Sequence, residues 1–319
     1  MAGSKGTLPY EGAYYTFREY CRNTYGEPLY KISLNIGCTC PNRDGTAGTG
    51  GCTFCGAAGA GEFAGDASRP VAEQLRSGKE QARRIRPKIR RYIAYFQAFT
   101  NTYGDPAYLR SCYLEAAADP DVTALCIATR PDCCGDEVIA LLQEVSLIKP
   151  VTVELGLQTV HDDTAERFHR GYPTSVFEDA IGRLSRAGIP VVVHLMLGLP
   201  GESEEDFLQT VRAVSRLPVT GVKFHLLYLL RGTALAEEMP ADRLLTEEEY
   251  LTWLGDGIAL LRPDISVQRV TGDPPKELLL GPGWCLRKAQ VLNDIRHSLK
   301  VRGIRQGCRF ESPGDGQKG

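Results

Sequence analysis

Seven short runs of apolar, β-branched and aromatic residues recur along the chain: Lys31–Ile36, Tyr92–Gln97, Ala124–Thr129, Thr152–Leu157, Val191–Leu197, Gly221–Leu227 and Ile265–Val270. Few polar positions interrupt them, which is the pattern of strands buried on both faces of a parallel sheet. Between them lie Val71–Ile85, Pro106–Ala118, Asp136–Leu147, Ser175–Ala187 and Glu204–Leu217, where apolar residues repeat every three or four positions as on one face of a helix. Start and stop signals agree. Thr174-Ser175 opens one helix, Ala187-Gly188-Ile189-Pro190 closes it, and Ser203-Glu204-Glu205-Asp206 places acids in the first turn of the next. Repeated strand-then-helix order implies right-handed crossovers and an α/β fold, either a full or partial barrel or a doubly wound sheet. In a barrel the chemistry sits at the C-terminal ends of the strands, so the residues after each run carry the information.

Composition narrows the class. With 319 residues, 43% of them hydrophobic, the chain can bury a large core. A net charge of -2 excludes a strongly basic protein but leaves room for a local basic patch. No apolar stretch approaches ~18 residues, and the opening MAGSKGTLPYEG lacks a signal-peptide core. The expectation is a cytoplasmic protein with no membrane contact. Eleven cysteines in a reducing compartment point to metal or catalysis rather than a disulfide framework.

Four of those thiols, Cys38, Cys40, Cys52 and Cys55, crowd the loop after the first predicted strand. A metal-free loop, a four-thiolate zinc site and a three-thiolate iron–sulfur cluster all compete for them. Cys-x-x-Cys suits zinc, but Cys-x-Cys is unusual there, where two to four residues normally intervene. Thiolates are also the usual ligands of 4Fe–4S clusters. Closing an eleven-residue rather than a two-residue loop costs only about 1.5 kcal/mol more, and metal binding contributes roughly ten times that. Spacing alone therefore does not choose. Gly45, Gly48, Gly50 and Gly51 let the backbone wrap closely, Pro41 stiffens it, and Asn42, Arg43 and Asp44 could fix the loop from within.

Cys40-Pro41-Asn42-Arg43-Asp44-Gly45 followed by Gly50-Gly51-Cys52-Thr53-Phe54-Cys55 resembles the signature of a bacterial radical S-adenosylmethionine (radical SAM) family, the YhcC-like proteins, related to the radical SAM domain of the Elongator catalytic subunit. The resemblance implies a 4Fe–4S cluster on Cys40, Cys52 and Cys55, with one iron left for SAM. Cys38 falls outside the pattern. If the first strand ran on, alternation would put it on the face of Cys40, making it the one substitute ligand. Further segments are similar to the same family. Tyr95–Tyr103, with Gln97, Thr100 and Asn101, implies contacts to the SAM amino group. Ile127–Cys133 places Arg130 or Asp132 at SAM or substrate, and Cys133 and Cys134 at the site's mouth. Val153–Thr159, with Glu154 and Gln158, implies contacts to the ribose. Arg170 implies a pairing with the SAM carboxylate, which a planar guanidinium fork suits. Val193–Glu202, with Gly198 and Leu199, implies an adenine site. The catalytic residue is open: Cys133, His194 and His225 are candidates, although a core histidine is the plainer reading of either strand histidine.

The implied fold is a partial (β/α)6-type TIM barrel over 31–230, with an N-terminal extension 1–30, a C-terminal extension 231–310 packed on the barrel, and a flexible tail 311–319. The implied chemistry is reductive cleavage of SAM to a 5′-deoxyadenosyl radical, fed by an electron donor such as flavodoxin or ferredoxin. For substrate, kinship with the Elongator subunit suggests tRNA and its wobble uridine. Arg83, Arg84, Arg86, Lys88, Arg90 and Arg91 form a basic run, and Tyr10, Tyr14, Tyr15, Phe17, Tyr20, Tyr25 and Tyr30 could stack on unpaired bases. A solvated helix end and an apolar N-terminal cap explain the same residues. A radical SAM enzyme for a small metabolite and a zinc-holding, non-catalytic RNA-binding protein are the alternatives. The sequence shows no second cysteine cluster for sulfur insertion and no acetyltransferase segment, so acetyl chemistry would need a partner.

Overall fold

The computed structural model describes residues 10–57, 59 and 64–311. Of the expected extension and tail, residues 1–9 and 312–319 lie outside the described residues. The elements in chain order are α1 (Phe17–Tyr25), β1 (Tyr30–Leu34), α2 (Val71–Ile85), β2 (Tyr92–Phe96), α3 (Pro106–Ala118), β3 (Val122–Thr129), α4 (Asp136–Ser146), β4 (Val151–Gln158), α5 (Asp162–Arg167), α6 (Thr174–Arg186), β5 (Val191–Leu197), α7 (Glu204–Ser215), β6 (Gly221–Leu226), β7 (Leu229–Leu230), α8 (Ala234–Glu238), α9 (Glu247–Leu260), β8 (Ser266–Arg269), β9 (Leu279–Gly281) and α10 (Lys288–Val301).

Seven strands form one sheet in the order β1-β2-β3-β4-β5-β6-β8, every neighbouring pair parallel. The sheet curls into a partial TIM barrel with helices on its outer face. Strand order follows chain order, as successive right-handed β-α-β crossovers require. All seven predicted runs are strands, several shifted by a residue or two. The first ends at Leu34 rather than Ile36, because Gln74 of α2 takes the next peptide: its Oε1 accepts from Asn35 N (2.9 Å) and its Nε2 donates to Asn35 O (2.8 Å).

The sequence reading named no helix for α1, α5, α8, α9 or α10. Two of them carry complete capping boxes, Thr16 with Glu19 on α1 and Thr246 with Glu249 on α9. Helix α1 decides the fate of the N-terminal aromatics. Phe17, Tyr20 and Tyr25 pack with Cys21 and Leu29 against Ile93, Tyr95, Ala124 and Cys126, which line the barrel interior from β2 and β3. Tyr10 and Tyr15 are buried and stack on each other at 5.6 Å. These rings are the apolar cap, and they plug the N-terminal end of the barrel instead of standing ready for bases. Among the described residues no helix is long and apolar enough to cross a membrane.

Candidate active site

The opposite end of the barrel holds a cavity of about 210 Å³, walled by the cysteine loop and by the C-terminal ends of β2 to β6. The loop is a built object. Cys40 O accepts from Arg43 N (2.8 Å) and Asp44 N (3.2 Å), Pro41 O from Ala47 N (2.8 Å), and Asn42 O from Gly51 N (2.8 Å). Asn42 is its keystone: buried, it donates from Nδ2 to His169 O across the site. A Cβ on Gly48 would fall 2.3 Å from the Asn42 Oδ1, so this position needs glycine. Arg43 donates to Gly56 O and Ala57 O, and Asp44 Oδ1 accepts from Thr46 N. The three polar residues expected to fix the loop do so.

Cys40, Cys52 and Cys55 all line the cavity, and Cys38 does not. Because β1 stops at Leu34, the alternation that would have aligned Cys38 with Cys40 never applies. Cys38 instead packs against the main core, and burial pushes its thiol up to about 11. Among the described residues no three His, Cys, Asp or Glu side chains converge on one ion-sized point. Cys40, Cys52 and Cys55 instead share one cavity wall, the one formed by the loop after β1. Cys52 and Cys55 behave as a pair: sharing a hydrogen bond holds Cys52 below the usual thiol range and Cys55 well above it. The wall facing them is close-fitting, since a Cβ on Gly59 (φ +63°) would meet the Phe99 ring at 2.9 Å. Phe99, Gln158 and His169 all hold positive φ at the site, at 58°, 65° and 58°. Strained backbone of this kind collects where function fixes geometry.

The predicted SAM contacts divide. Gln97, Thr100, Arg130, Glu154, Gln158 and Arg170 line the cavity; Asn101, Gly198 and Leu199 do not. Asn101 is buried beneath the loop and donates from Nδ2 to Ala98 O (2.9 Å) and Ala128 O (3.1 Å). Leu199 packs with Ala165 and Phe168 behind Cys52 and Phe54. Gly198 backs onto Leu245.

Arg170 is 1% exposed and every one of its N–H donors is taken: Nε by Tyr172 O, Nη1 by Leu157 O and Thr159 O, Nη2 by Asp162 Oδ1 and Thr174 Oγ1. A SAM carboxylate would have to displace one of these partners. Arg130 is held by Asp132 through Nε (2.9 Å) and Nη2 (2.7 Å), and donates from Nη1 to Arg170 O. Between the two guanidiniums lies the Tyr172 ring, 4.7 Å from Arg130 and 4.8 Å from Arg170. Sequence reasoning had no handle on Tyr172.

Glu154 also departs from its expected ribose role. It is 1% exposed, and its carboxylate accepts from Lys31 Nζ (2.6 Å), His194 Nε2 (2.8 Å), the Cys126 thiol and Lys223 Nζ. Burial alone would raise its pKa, but Lys223 and Lys31 hold it well below the usual carboxylate range. Burial lowers Lys223 to about 8. Burial and then the Lys223 charge lower His194 to about 4, so the imidazole is neutral. Lys223 also donates to the Tyr95 hydroxyl at 3.2 Å and sits 4.6 Å from the ring centroid. Lys31 and Lys223 went unnoticed because each is a single cation in a mostly apolar run.

Cys133 and Cys134 do not line the cavity. Burial raises both thiols, and Cys133 lies beside Asp132 at the outer rim. His194 and His225 do line it, with ring centroids 4.9 Å apart. The basic run is at the other end. Arg83 and Arg84 close α2, and Arg90 and Arg91 directly precede β2, on the N-terminal side of the barrel. Arg83 and Arg91 there face Asp121 (3.9 Å) and Glu27 (3.8 Å).

A family model described as the radical SAM superfamily matches residues 34–214, and one for the radical SAM C-terminal domain matches residues 219–301. The chain belongs to the radical SAM superfamily. It is 39% identical to YtqA of Bacillus subtilis over 94% of both chains, and 37% identical to YhcC of Escherichia coli K12 over 91% of this chain and 93% of that one. It is therefore a YhcC-like radical SAM protein. It is also 32% identical over 232 residues to a tRNA uridine(34) acetyltransferase of Dehalococcoides mccartyi, covering 66% of this chain and 48% of that protein. In fold it is similar to Elp3 of Methanocaldococcus infernus, with a TM-score of 0.67 at 17% identity, over 87% of this chain and 64% of that one. Radical SAM enzymes use a 4Fe–4S cluster and SAM. Three cavity-lining thiols and the close glycine-lined wall fit that pair, and the zinc reading is set aside.

Proposed function

We propose that this radical SAM enzyme modifies tRNA, with the wobble uridine as target. The observation that carries the proposal is the sequence kinship with a tRNA uridine(34) acetyltransferase. That relative is matched over less than half its length, so its acetyl transfer is not carried over with it. Residues Cys40, Cys52 and Cys55 would hold the cluster, and Gln97, Thr100, Arg130 and Gln158 line the space SAM would occupy. When bound, the cluster and SAM supply a 5′-deoxyadenosyl radical that takes a hydrogen atom from the substrate.

The chain's own residues prepare the site for that event. Arg43 packs its guanidinium on the Phe99 ring at 5.2 Å and ties the loop closed behind the thiols. Asn42, Thr53 and Arg170 lock the loop to the β4 side of the barrel. Below, the Glu154–Lys31–Lys223 network and the aromatic plug of α1 close the barrel floor to water. An electron donor such as flavodoxin or ferredoxin completes the proposal.

Two measurements test it. Anaerobic reconstitution with iron and sulfide should give brown protein that cleaves SAM reductively. Mass spectrometry of tRNA nucleosides from a deletion strain should then show an altered wobble uridine. An unchanged nucleoside profile beside intact SAM cleavage would move the substrate to a small metabolite.

A further inference from the structure

Strand β1 is an edge of the sheet, and an open groove of about 580 Å³ runs along it with α2 as the other wall. Tyr30 N donates to Arg91 O (3.3 Å) and Leu34 O accepts from Gln97 N (2.9 Å), so the alternate peptide groups, those of Lys31 and Ser33, turn to the free edge. The helix lies antiparallel to the strand. Gln74 bonds Asn35 at the cavity end, and further down a Cβ on Gly78 would fall 2.3 Å from Ile32 Cγ2. Tyr30, Ser33, Ser77 and Gln81 line the groove, with Asp66 and Arg69 at its cavity end. Asp66 is the one carboxylate in that lining among the described residues, and Arg69 Nε offsets it at 3.4 Å.

The groove's far end meets the basic run, where Tyr30 is bonded to Arg91. Asp121 and Glu27 partly offset Arg83 and Arg91, and Arg90 turns its Nη1 onto Ile89 O (3.1 Å). Arg84, Arg86 and Lys88 are exposed and make no salt bridge or side-chain hydrogen bond among the described residues. The helix dipole accounts for Arg83 and Arg84 in the last turn of α2, but Arg86 caps the helix and Lys88 lies beyond it. Such crowded, unoffset cations suit a polyanion. The groove adds hydroxyls, an amide and free peptide N–H groups, the donors that hold phosphate and sugar oxygens. At 1.5 Å per residue the 15 residues of α2 set the run about 20 Å from the cavity end. A redox protein has to dock close to the centre it reduces, whereas an extended polyanion spans that distance.

We propose that the ribose–phosphate backbone of an RNA substrate lies along this groove with its phosphates on the basic run, anchoring the RNA well away from the base that reacts. The choice of tRNA rests on the reading above. The polyanion and its path rest on the run and the groove.

The test titrates reconstituted holoenzyme with tRNA from the deletion strain across a salt series. Three variants join wild type: R84Q/R86Q/K88Q on the run, S77E/Q81E at two exposed groove positions, and R296Q/K300Q/R305Q, which removes three exposed cations on and after α10. The run variant should bind at least tenfold more weakly at about 0.15 M salt, and its slope of log K against log salt should be shallower by about 2–3. The groove variant should also lose at least tenfold, and the α10 variant should stay within threefold of wild type. SAM cleavage without RNA should be the same in all four. A run variant within threefold of wild type overturns the proposal, as does an α10 variant that loses as much, because net charge would then be the cause. A groove variant that binds like wild type overturns the path. A run variant that binds tRNA normally but loses turnover with flavodoxin assigns the run to an acidic protein instead. All of these leave the tRNA reading intact. Binding that depends on these residues beside an unchanged nucleoside profile would sink the wobble-uridine reading and leave the RNA groove standing; wild type that binds no tRNA sinks both.

Discussion

The buried carboxylate of Glu154 offers the sharpest test of the electrostatics. Glu154→Gln keeps the shape and one acceptor but leaves Lys31 and Lys223 with no carboxylate in reach. Removing one partner of a buried ion pair costs about 3–5 kcal/mol. The cost does not double for two lysines, because Lys223, already at about 8, can shed its proton. With an unfolding entropy of about 2.1 cal/mol/K per residue, a chain of 319 residues converts that loss into a fall in Tm of about 4–7 °C. The assay is anaerobic thermal unfolding at pH 7 at matched cluster content. Lys31→Met added to the Gln variant removes the ammonium that stays charged and should recover about half the loss. A Gln variant melting within about 1 °C of wild type would refute the reasoning, as would a second substitution that deepens the loss.

The remaining predictions concern ligands, a clamp and pH. Cys40→Ala should abolish cluster incorporation while Cys38→Ala retains it, read as iron and sulfide per chain and as visible absorption; the reverse would reassign the motif. Arg170→Lys breaks a five-bond clamp and should cost about 2–3 kcal/mol, measured by denaturant unfolding, since an ammonium cannot reproduce the planar fork. Lys223 ionises at about 8 folded against about 10.5 unfolded, so between those values the unfolded chain holds the extra proton and stability rises with pH. Lys223→Met should remove that rise, on the order of 3 kcal/mol across the window. Glu154 has the same sign in an acid window: its contribution is present above the ordinary carboxylate pKa and is lost as pH falls below it, which acid unfolding of wild type against the Gln variant would show.

The barrel was legible because its strands are buried on both faces and so read as uninterrupted apolar runs. The cysteine loop was legible because its glycines, its asparagine and its thiols are contiguous. Other parts were not, for a physical reason. Helix α9 is buried along Leu254–Ala259, which blurs the one-sided pattern that marks a surface helix. Lys31, Glu154 and Lys223 meet inside the barrel from three strands, and their sequence separations of 123 and 69 leave no local trace. Arg170 was recognisable as a residue able to grip a carboxylate, but sequence does not show that five nearby oxygens already hold it. Cys38 turned on the ending of β1, which a distant glutamine on α2 sets.

The cysteine loop has a further consequence for how the protein matures. Asn42 leans on His169 O, Thr53 N on Phe168 O, and Thr53 O takes the amide of Leu235. The ligand-bearing segment emerges early from the ribosome, yet the struts that shape it are synthesised more than a hundred residues later. Until then its thiols are exposed on an unshaped strand, open to oxidation and to stray metals. If Cys40, Cys52 and Cys55 hold the cluster, the loop takes its final shape only once α8 has been made, and a delivery system would then meet a nearly complete barrel, not a nascent loop.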